Sequence, residues 1–406
     1  MSDQKTFTVL SIDGGGIRGI IPAIILRKIE EETGKRIYEL FDLIAGTSTG
    51  GILSLALTVP DPDDPDSAEF PAAKLVDLYR DKGEKIFDRS IWHKIRSMRG
   101  WAEEKYTSDG LMGVLDAYFK ETMLRQALTN VLITSYDLRG TRYDWENKQE
   151  WKERSEDEKQ GKLKPEGGHP RFFKSSKAKE QKFPSEKTFE INYPEDYLMK
   201  DVAHATAAAP TFFEPFDVVS KDPEPSDKTA QQTAKILTET LLDGGVFANN
   251  PAMCAYAEAK KMCVKWKCPD AKILVVSLGT GKLTRYNEHQ HEEAKGWGKF
   301  EWVKPLLRII FDGASDTVHY QLKQLIGNTD NEKLYYRFQP KLTKCNDDLD
   351  DASEGNLVNL VNTAEEYIKE ACIASKLTHL CAELKDLLES KKRATEPTED
   401  MENVDT

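Results

Sequence analysis

Phe41-Asp42-Leu43-Ile44-Ala45-Gly46-Thr47-Ser48-Thr49-Gly50-Gly51-Ile52-Leu53-Ser54-Leu55-Ala56-Leu57 changes character halfway along. The apolar run 41–45 reads as a buried strand, and the apolar run 52–57 reads as a helix. Between them lies G-x-S-x-G, with Gly46, Thr47, Thr49 and Gly50 around Ser48. A strand that turns at once into a helix forces the central residue into a strained conformation and leaves its neighbours no room for side chains. Glycine therefore flanks the turn, and the central hydroxyl projects into the open. Ser48 is the candidate nucleophile. The N-terminus of the helix behind it offers positive potential to a developing oxyanion.

The residues before this stretch repeat the pattern. Phe7–Ile12 reads as a short buried strand ending at Asp13, followed by Gly14-Gly15-Gly16-Ile17-Arg18-Gly19 and an apolar-striped helix from about Ile17 to Thr33. Consecutive glycines leave backbone N–H groups bare, which is what an oxyanion hole requires. Gly14, Gly15, Gly16 and Arg18 are the candidates, with Arg18 either stabilising the hole or bracing the loop. The spacing also satisfies G-x-G-x-x-G, a dinucleotide signature. However, no acidic residue closes a clear second strand at the distance that fold needs, because Gly46–Gly50 stands there instead.

Further strands are expected at Val131–Tyr136, Leu241–Leu242 and Ile273–Leu278, with helices between them such as Pro251–Lys261. Alternating strands and helices imply an α/β chain with a mostly parallel central sheet sandwiched by helices. In such sheets, sites gather at the carboxyl ends of strands. Leu241-Leu242-Asp243-Gly244-Gly245 fits that rule, because it carries a carboxylate out at the end of an apolar run. A free aspartate, pKa about 3.9, is a poor base. Held against a serine in a water-poor pocket, it can take the serine proton directly. The histidines are His93, His169, His204, His289, His291, His319 and His379, and none follows the serine and the acid in a typical hydrolase context. The reading is a Ser48–Asp243 dyad, with His204 as the alternative base.

The 406 residues and the absence of a Pro/Gly/Ser-rich linker favour one domain over residues 1–390. Charged or polar loop insertions interrupt it at about 145–169 and 220–235, and a polar, disordered tail is expected over 391–406. The helix before that tail, roughly Leu357–Leu388, is expected to break at least once. A formal net charge of -12 argues against nucleic acid as a partner. Cys254, Cys263, Cys268, Cys345, Cys372 and Cys381 match neither a disulfide scaffold nor a zinc site, so reduced thiols are expected, with no metal and no cofactor. The polar start and the lack of a bilayer-length apolar run give the expectation of a soluble, cytoplasmic protein that visits membrane surfaces. Ile91–Trp101, with Trp92 and Trp101 among Lys94, Arg96 and Arg99, is the candidate membrane-contact helix. Trp297, Phe300 and Trp302 are assigned to core packing, and the basic residues 174–187 to a solvated face.

Asp13–Gly19, Gly46–Gly50 and Asp243-Gly244-Gly245 agree in order and spacing with the patatin-like phospholipase family, which the chain resembles from about residue 7 to 390. Thr206–Phe213, Ser277–Gly281 and Asp351–Asn356 extend the match. The resemblance implies the patatin-like three-layer architecture, Ser48 as nucleophile, Asp243 as base, and an oxyanion region at Gly14, Gly15, Gly16 and Arg18. It also implies metal-free hydrolysis of fatty-acyl esters of glycerolipids at a peripheral membrane surface. Acyl transfer by the same dyad, or a non-catalytic lipid- or protein-binding scaffold, are the competing functions. The charged insertion at 145–169 and the missing secretory leader depart from storage patatins and bear on substrate range.

Overall fold

The computed structural model describes residues 5–86, 109–138, 168–180, 195–221, 238–283, 295–296, 298–327, 333–345 and 348–395. The helix expected at Ile91–Trp101, with Trp92 and Trp101, lies outside the described residues. So do all but the edges of both insertions.

The strands are β1 (Thr6–Ile12), β2 (Leu43–Thr47), β3 (Asn130–Asp137), β4 (His169–Lys174), β5 (Phe216–Val219), β6 (Thr238–Asp243), β7 (Lys272–Leu278), β8 (Lys282–Leu283), β9 (Tyr335–Phe338) and β10 (Lys341–Leu342). The helices are α1 (Ile20–Thr33), α2 (Ile37–Leu40), α3 (Thr49–Ala56), α4 (Ala72–Ile86), α5 (Asp109–Phe119), α6 (Ser175–Lys179), α7 (Met199–Ala207), α8 (Gly245–Ala248), α9 (Ala252–Lys265), α10 (Lys299–Ile326), α11 (Glu354–Lys369) and α12 (Ala371–Thr395). A single 3-10 turn, Gly16–Gly19, precedes α1.

β1 is central. It pairs in parallel with β2 on one side and β7 on the other; β2 continues to β3, and β7 to β9, all in parallel. Successive side chains of these strands enter opposite layers. Leu10, Ile12, Ile44, Ile133 and Val276 pack into the layer that holds α1. Val9, Leu43, Ala45, Leu132 and Val275 pack against Ala252, Ala255 and Ala259 of α9. Burial on both faces explains why these strands are near-continuous apolar runs without alternation. α1 is apolar and buried all round from Ile20 to Leu26, turns charged from Arg27, and ends where Gly34 takes φ 67 and donates its N–H to the Glu30 carbonyl.

The far side of β3 was not foreseen. β4 runs antiparallel to β3 from Leu132↔Lys174 to Asp137↔His169. β6, a strand expected at Leu241–Leu242 with its direction left open, is also antiparallel to β3, over Ser135↔Asp243 to Asp137↔Leu241. A strand has only two edges, and β4 occupies one of them throughout 132–137. β2 reaches Thr134 on the other edge, and β6 takes over that same edge at Ser135. The two strands therefore approach head to head, and the register leaves Ser48 and Asp243 at the meeting point.

Other differences are local. Lys174 was assigned to a solvated face, yet it pairs with Glu258 at 2.7 Å with both side chains largely covered. Trp302 was assigned to the core, yet it is 38% exposed. The final helix breaks once, at Glu370, and then continues to Thr395, past the expected start of the tail. Lys391 holds it there through a 2.6 Å contact with Asp42, whose carboxylate also accepts the Thr8 N–H and hydroxyl. None of the six cysteines is in a disulfide. Among the described residues no helix is long and apolar enough to cross a membrane, and no group of acidic, His or Cys side chains is arranged to hold a metal ion.

The antiparallel side is locked by Arg171, which donates to the fully buried Glu239 at 2.8 Å, while Tyr197 donates to the same carboxylate at 2.6 Å. Replacing one member of such a pair strands the other charge. Arg171→Ala is expected to cost about 3–5 kcal/mol, read as a lowered urea midpoint.

Candidate active site

Ser48 sits at φ 54, ψ -126, a positive-φ conformation that a side-chain-bearing residue holds only under constraint. Two close approaches impose it. A Cβ on Gly50 would lie 2.2 Å from the Ile12 carbonyl oxygen, and one on Gly46 would lie 2.2 Å from that of Gly50. The Ser48 N–H donates to the Thr206 hydroxyl at 2.8 Å, which in turn donates to the Thr134 carbonyl at 2.6 Å. Thr47 turns into the protein and donates to the Ala248 carbonyl. Thr49 opens α3 and meets the Tyr79 hydroxyl.

Asp243 ends β6. Its N–H donates to the Ala208 carbonyl at 2.9 Å, and its Oδ1 accepts the Gly245 N–H at 2.7 Å. Burial pushes its carboxyl up to about 7, against the downward pull of hydrogen bonds from the Ser48 hydroxyl and the Gly245 amide. Ser48 and Asp243 line one cleft of about 620 Å³, walled by Ile52, Leu111, Ala207, Phe213, Phe311 and Leu349 among others. The desolvating wall is thus the physical cause of the raised carboxyl. A buried aspartate with a pKa near neutrality, in the same cleft as a strained serine, is placed to exchange a proton with it.

The glycine loop borders the same cleft, and its members differ. The Gly14 N–H is already donated to the Asn249 carbonyl at 2.9 Å, so it is not available as a donor to a ligand. Gly15 and Gly16 line the cleft, and their N–H groups have no partner among the described residues. Arg18 does not line the cleft. It is buried, with Nε 3.5 Å from the Gly15 carbonyl, and acts as a brace. His204, the alternative base, does not line the cleft. It lies buried against Phe216 with ring centroids 3.8 Å apart, and neither ring nitrogen has a hydrogen-bond partner among the described residues. Burial lowers its pKa to about 4.

Several supporting residues went unseen in the sequence. Asp13 is held by Arg337 in a two-pronged contact, 2.8 and 2.6 Å, with Ser315 donating to the same carboxylate at 2.9 Å. The Thr280 hydroxyl donates to the Gly14 carbonyl, and the Leu349 carbonyl accepts the Ile17 N–H. These contacts draw on four separate parts of the chain, none close to Asp13 in sequence. The aromatic alternation around Arg337, Tyr335-Tyr336-Arg337-Phe338, was the available signal for β9. Thr206, Ala208 and Thr280 had been noted only as parts of longer matching segments.

The family model described as patatin-like phospholipase matches residues 10–256. Patatin-like protein 2 of Oryza sativa subsp. indica is 31% identical over 389 residues, covering 89% of this chain and 83% of that protein. A potato (Solanum tuberosum) protein described as probable inactive patatin-3-Kuras 1 is 32% identical, covering 90% and 87%. Among solved structures, human GIVD cytosolic phospholipase A2 overlaps with a TM-score of 0.41 at 10% identity, covering 94% of this chain and 60% of that one.

Thr206→Val keeps the shape of that side chain and removes the hydroxyl between the Ser48 amide and the Thr134 carbonyl. The expected cost is about 1–3 kcal/mol, seen as a lowered thermal midpoint.

Proposed function

Because the chain belongs to the patatin-like phospholipase family, we propose that it is a lipid acyl hydrolase that cleaves fatty-acyl esters of glycerolipids with Ser48 and Asp243 alone. One observation carries the proposal: a strained serine and a buried carboxylate line the same apolar cleft. The apolar walls fit a fatty-acyl chain, and this supports a lipid over a polar ester.

In the proposed cycle the ionised Asp243 takes the Ser48 proton as the serine oxygen bonds to the ester carbonyl carbon. The N–H groups of Gly15 and Gly16 receive the negative oxygen, since they alone in the glycine run are uncommitted. The carbon–oxygen bond to the alcohol then breaks, and Asp243 returns its proton to the leaving alkoxide. Water enters, loses a proton to Asp243 and attacks the acyl-serine. Collapse releases the fatty acid, and the proton goes back to Ser48. No metal or cofactor takes part. Water-poor surroundings serve twice, raising the basicity of Asp243 and strengthening its attraction to the serine proton.

A non-catalytic scaffold is the second reading, favoured by the relative described as inactive. A fluorophosphonate probe decides between them. Labelling of Ser48, absent in Ser48→Ala, supports the hydrolase; an unlabelled Ser48 ends it.

Two further outcomes are expected. Ser48→Ala and Asp243→Asn each lower turnover of a long-chain phospholipid by about 10³-fold or more, with the circular dichroism spectrum unchanged. The free enzyme needs Asp243 as carboxylate, and its pKa is raised to about 7. kcat/KM therefore rises with pH through that value and falls about tenfold per unit below it, measured as a pH profile with saturating controls for stability.

A further inference from the structure

α10 (Lys299–Ile326) has two unlike halves. In its second half Leu322 and Ile326 are buried among the side chains of the layer that holds α9, with Val318 packed against them, and the outward residues are mostly polar, with Tyr320 and Leu325 exposed singly among them. In the first half Phe311 turns inward to the cleft. Away from it stand Trp302, Leu306, Ile309 and Ile310, which are 38, 49, 57 and 36% exposed. Residues 302, 306 and 309 follow the i, i+4, i+7 spacing of one helix face. At 3.6 residues per turn Phe311 falls on the side opposite Trp302. This half-helix is thus apolar both where it walls the cleft and where it meets solvent. Four neighbouring large apolar side chains on one face mark a contact surface rather than scattered exposure.

We propose that this outer face of α10 enters a lipid surface of zwitterionic or uncharged headgroups and brings the cleft to its substrate. The identity of the occupant rests on the acyl-hydrolase reading of the cleft. Two observations favour lipid over protein. The outer face and the cleft wall at Phe311 are opposite sides of one half-helix, so a lipid surface that takes up the outer face lies about one helix diameter, about 10 Å, from the apolar cleft. A second wall repeats the arrangement in miniature, where Leu111 lines the cleft and its neighbour Met112 is 39% exposed. Charge selects the kind of lipid. Arg308 lies within 4.0 Å of Asp348, and Asp312 and Asp316 follow on the same helix, so the described charges beside the face do not add up to a basic patch. Attachment is then carried by apolar insertion, with Trp302 suited to the headgroup boundary.

The test is sedimentation of the full chain with phosphatidylcholine vesicles, alongside hydrolysis of the soluble ester p-nitrophenyl butyrate. The variants are Leu306→Glu/Ile309→Glu and, as a control on another helix, Val358→Glu, whose position is 51% exposed. The double variant is expected to lose vesicle partitioning by about 100-fold while keeping ester turnover, since two buried aliphatic side chains become charged. Val358→Glu keeps both. Partitioning of the unmodified chain persists in about 1 M salt, where charge attraction is screened within about 3 Å. The proposal is overturned if the unmodified chain stays in the supernatant, or if the double variant binds as before. It is also overturned if light scattering shows a dimer that the double variant converts to a monomer, which makes a second copy the occupant. A double variant that loses ester turnover along with binding places the face within the folded cleft and overturns it equally. A chain that binds vesicles through this face but hydrolyses no ester retains the surface and refutes the hydrolase.

Discussion

Two strands ending against each other along one edge of a third is the constraint on which the site depends. β2 runs out at Thr47 opposite Thr134, and β6, coming from the opposite direction, runs out at Asp243 opposite Ser135. Each strand must leave the sheet at that point because the other occupies the next register position. The departure of β2 is the strained turn at Ser48, and the departure of β6 is the glycine turn behind Asp243. The strain therefore follows from competition for one row of hydrogen bonds. The Thr206–Ala208 segment then takes the orphaned N–H groups of both residues, one through a hydroxyl and one through a carbonyl.

The cleft that results solves a problem of opposite demands. An aspartate left in water is too weak a base to take a proton from an alcohol, and one buried without partners would stay protonated. Here the aliphatic walls push the carboxyl up, while the serine hydroxyl and the Gly245 amide pull it back toward the charged form, so it settles near neutrality. His204 shows the alternative outcome. It is equally buried and has nothing to donate to or accept from, so burial alone acts and it stays neutral. The glycine loop beside the cleft is fastened at Asp13, which Arg337 and Ser315 hold, while the amides of Gly15 and Gly16 have no partner among the described residues.

Much of this was legible in the sequence, and the line between legible and illegible is physical. The turns at Gly46–Gly50, Asp13–Gly19 and Asp243–Gly245 were readable because each depends on local crowding that only glycine relieves. The strands β1, β2, β3 and β7 were readable because burial on both faces makes them apolar without interruption. β4, β5 and β9 are short, with Arg171, Asp217 or Arg337 inside them, so no apolar run announces them. The direction of β6 was not encoded in Leu241-Leu242 at all, since an antiparallel and a parallel partner ask for the same side chains. The Gly14 amide looked as free as its neighbours until the fold brought the Asn249 carbonyl against it. Trp302 looked like core because its neighbours are apolar, and only the placement of the helix leaves it in the open.

The position of β1 carries a consequence for how the molecule is made. It is the middle strand of the parallel run, yet one of its edges is filled by β7, from residue 272 onward, and the loop behind it is fastened by Leu349 and Arg337. During synthesis that edge of β1 has no β7 to pair with until more than 250 further residues have been made. Long-range pairing of this kind closes slowly. This architecture therefore leans on cellular folding helpers far more than one in which neighbours in sequence are neighbours in space.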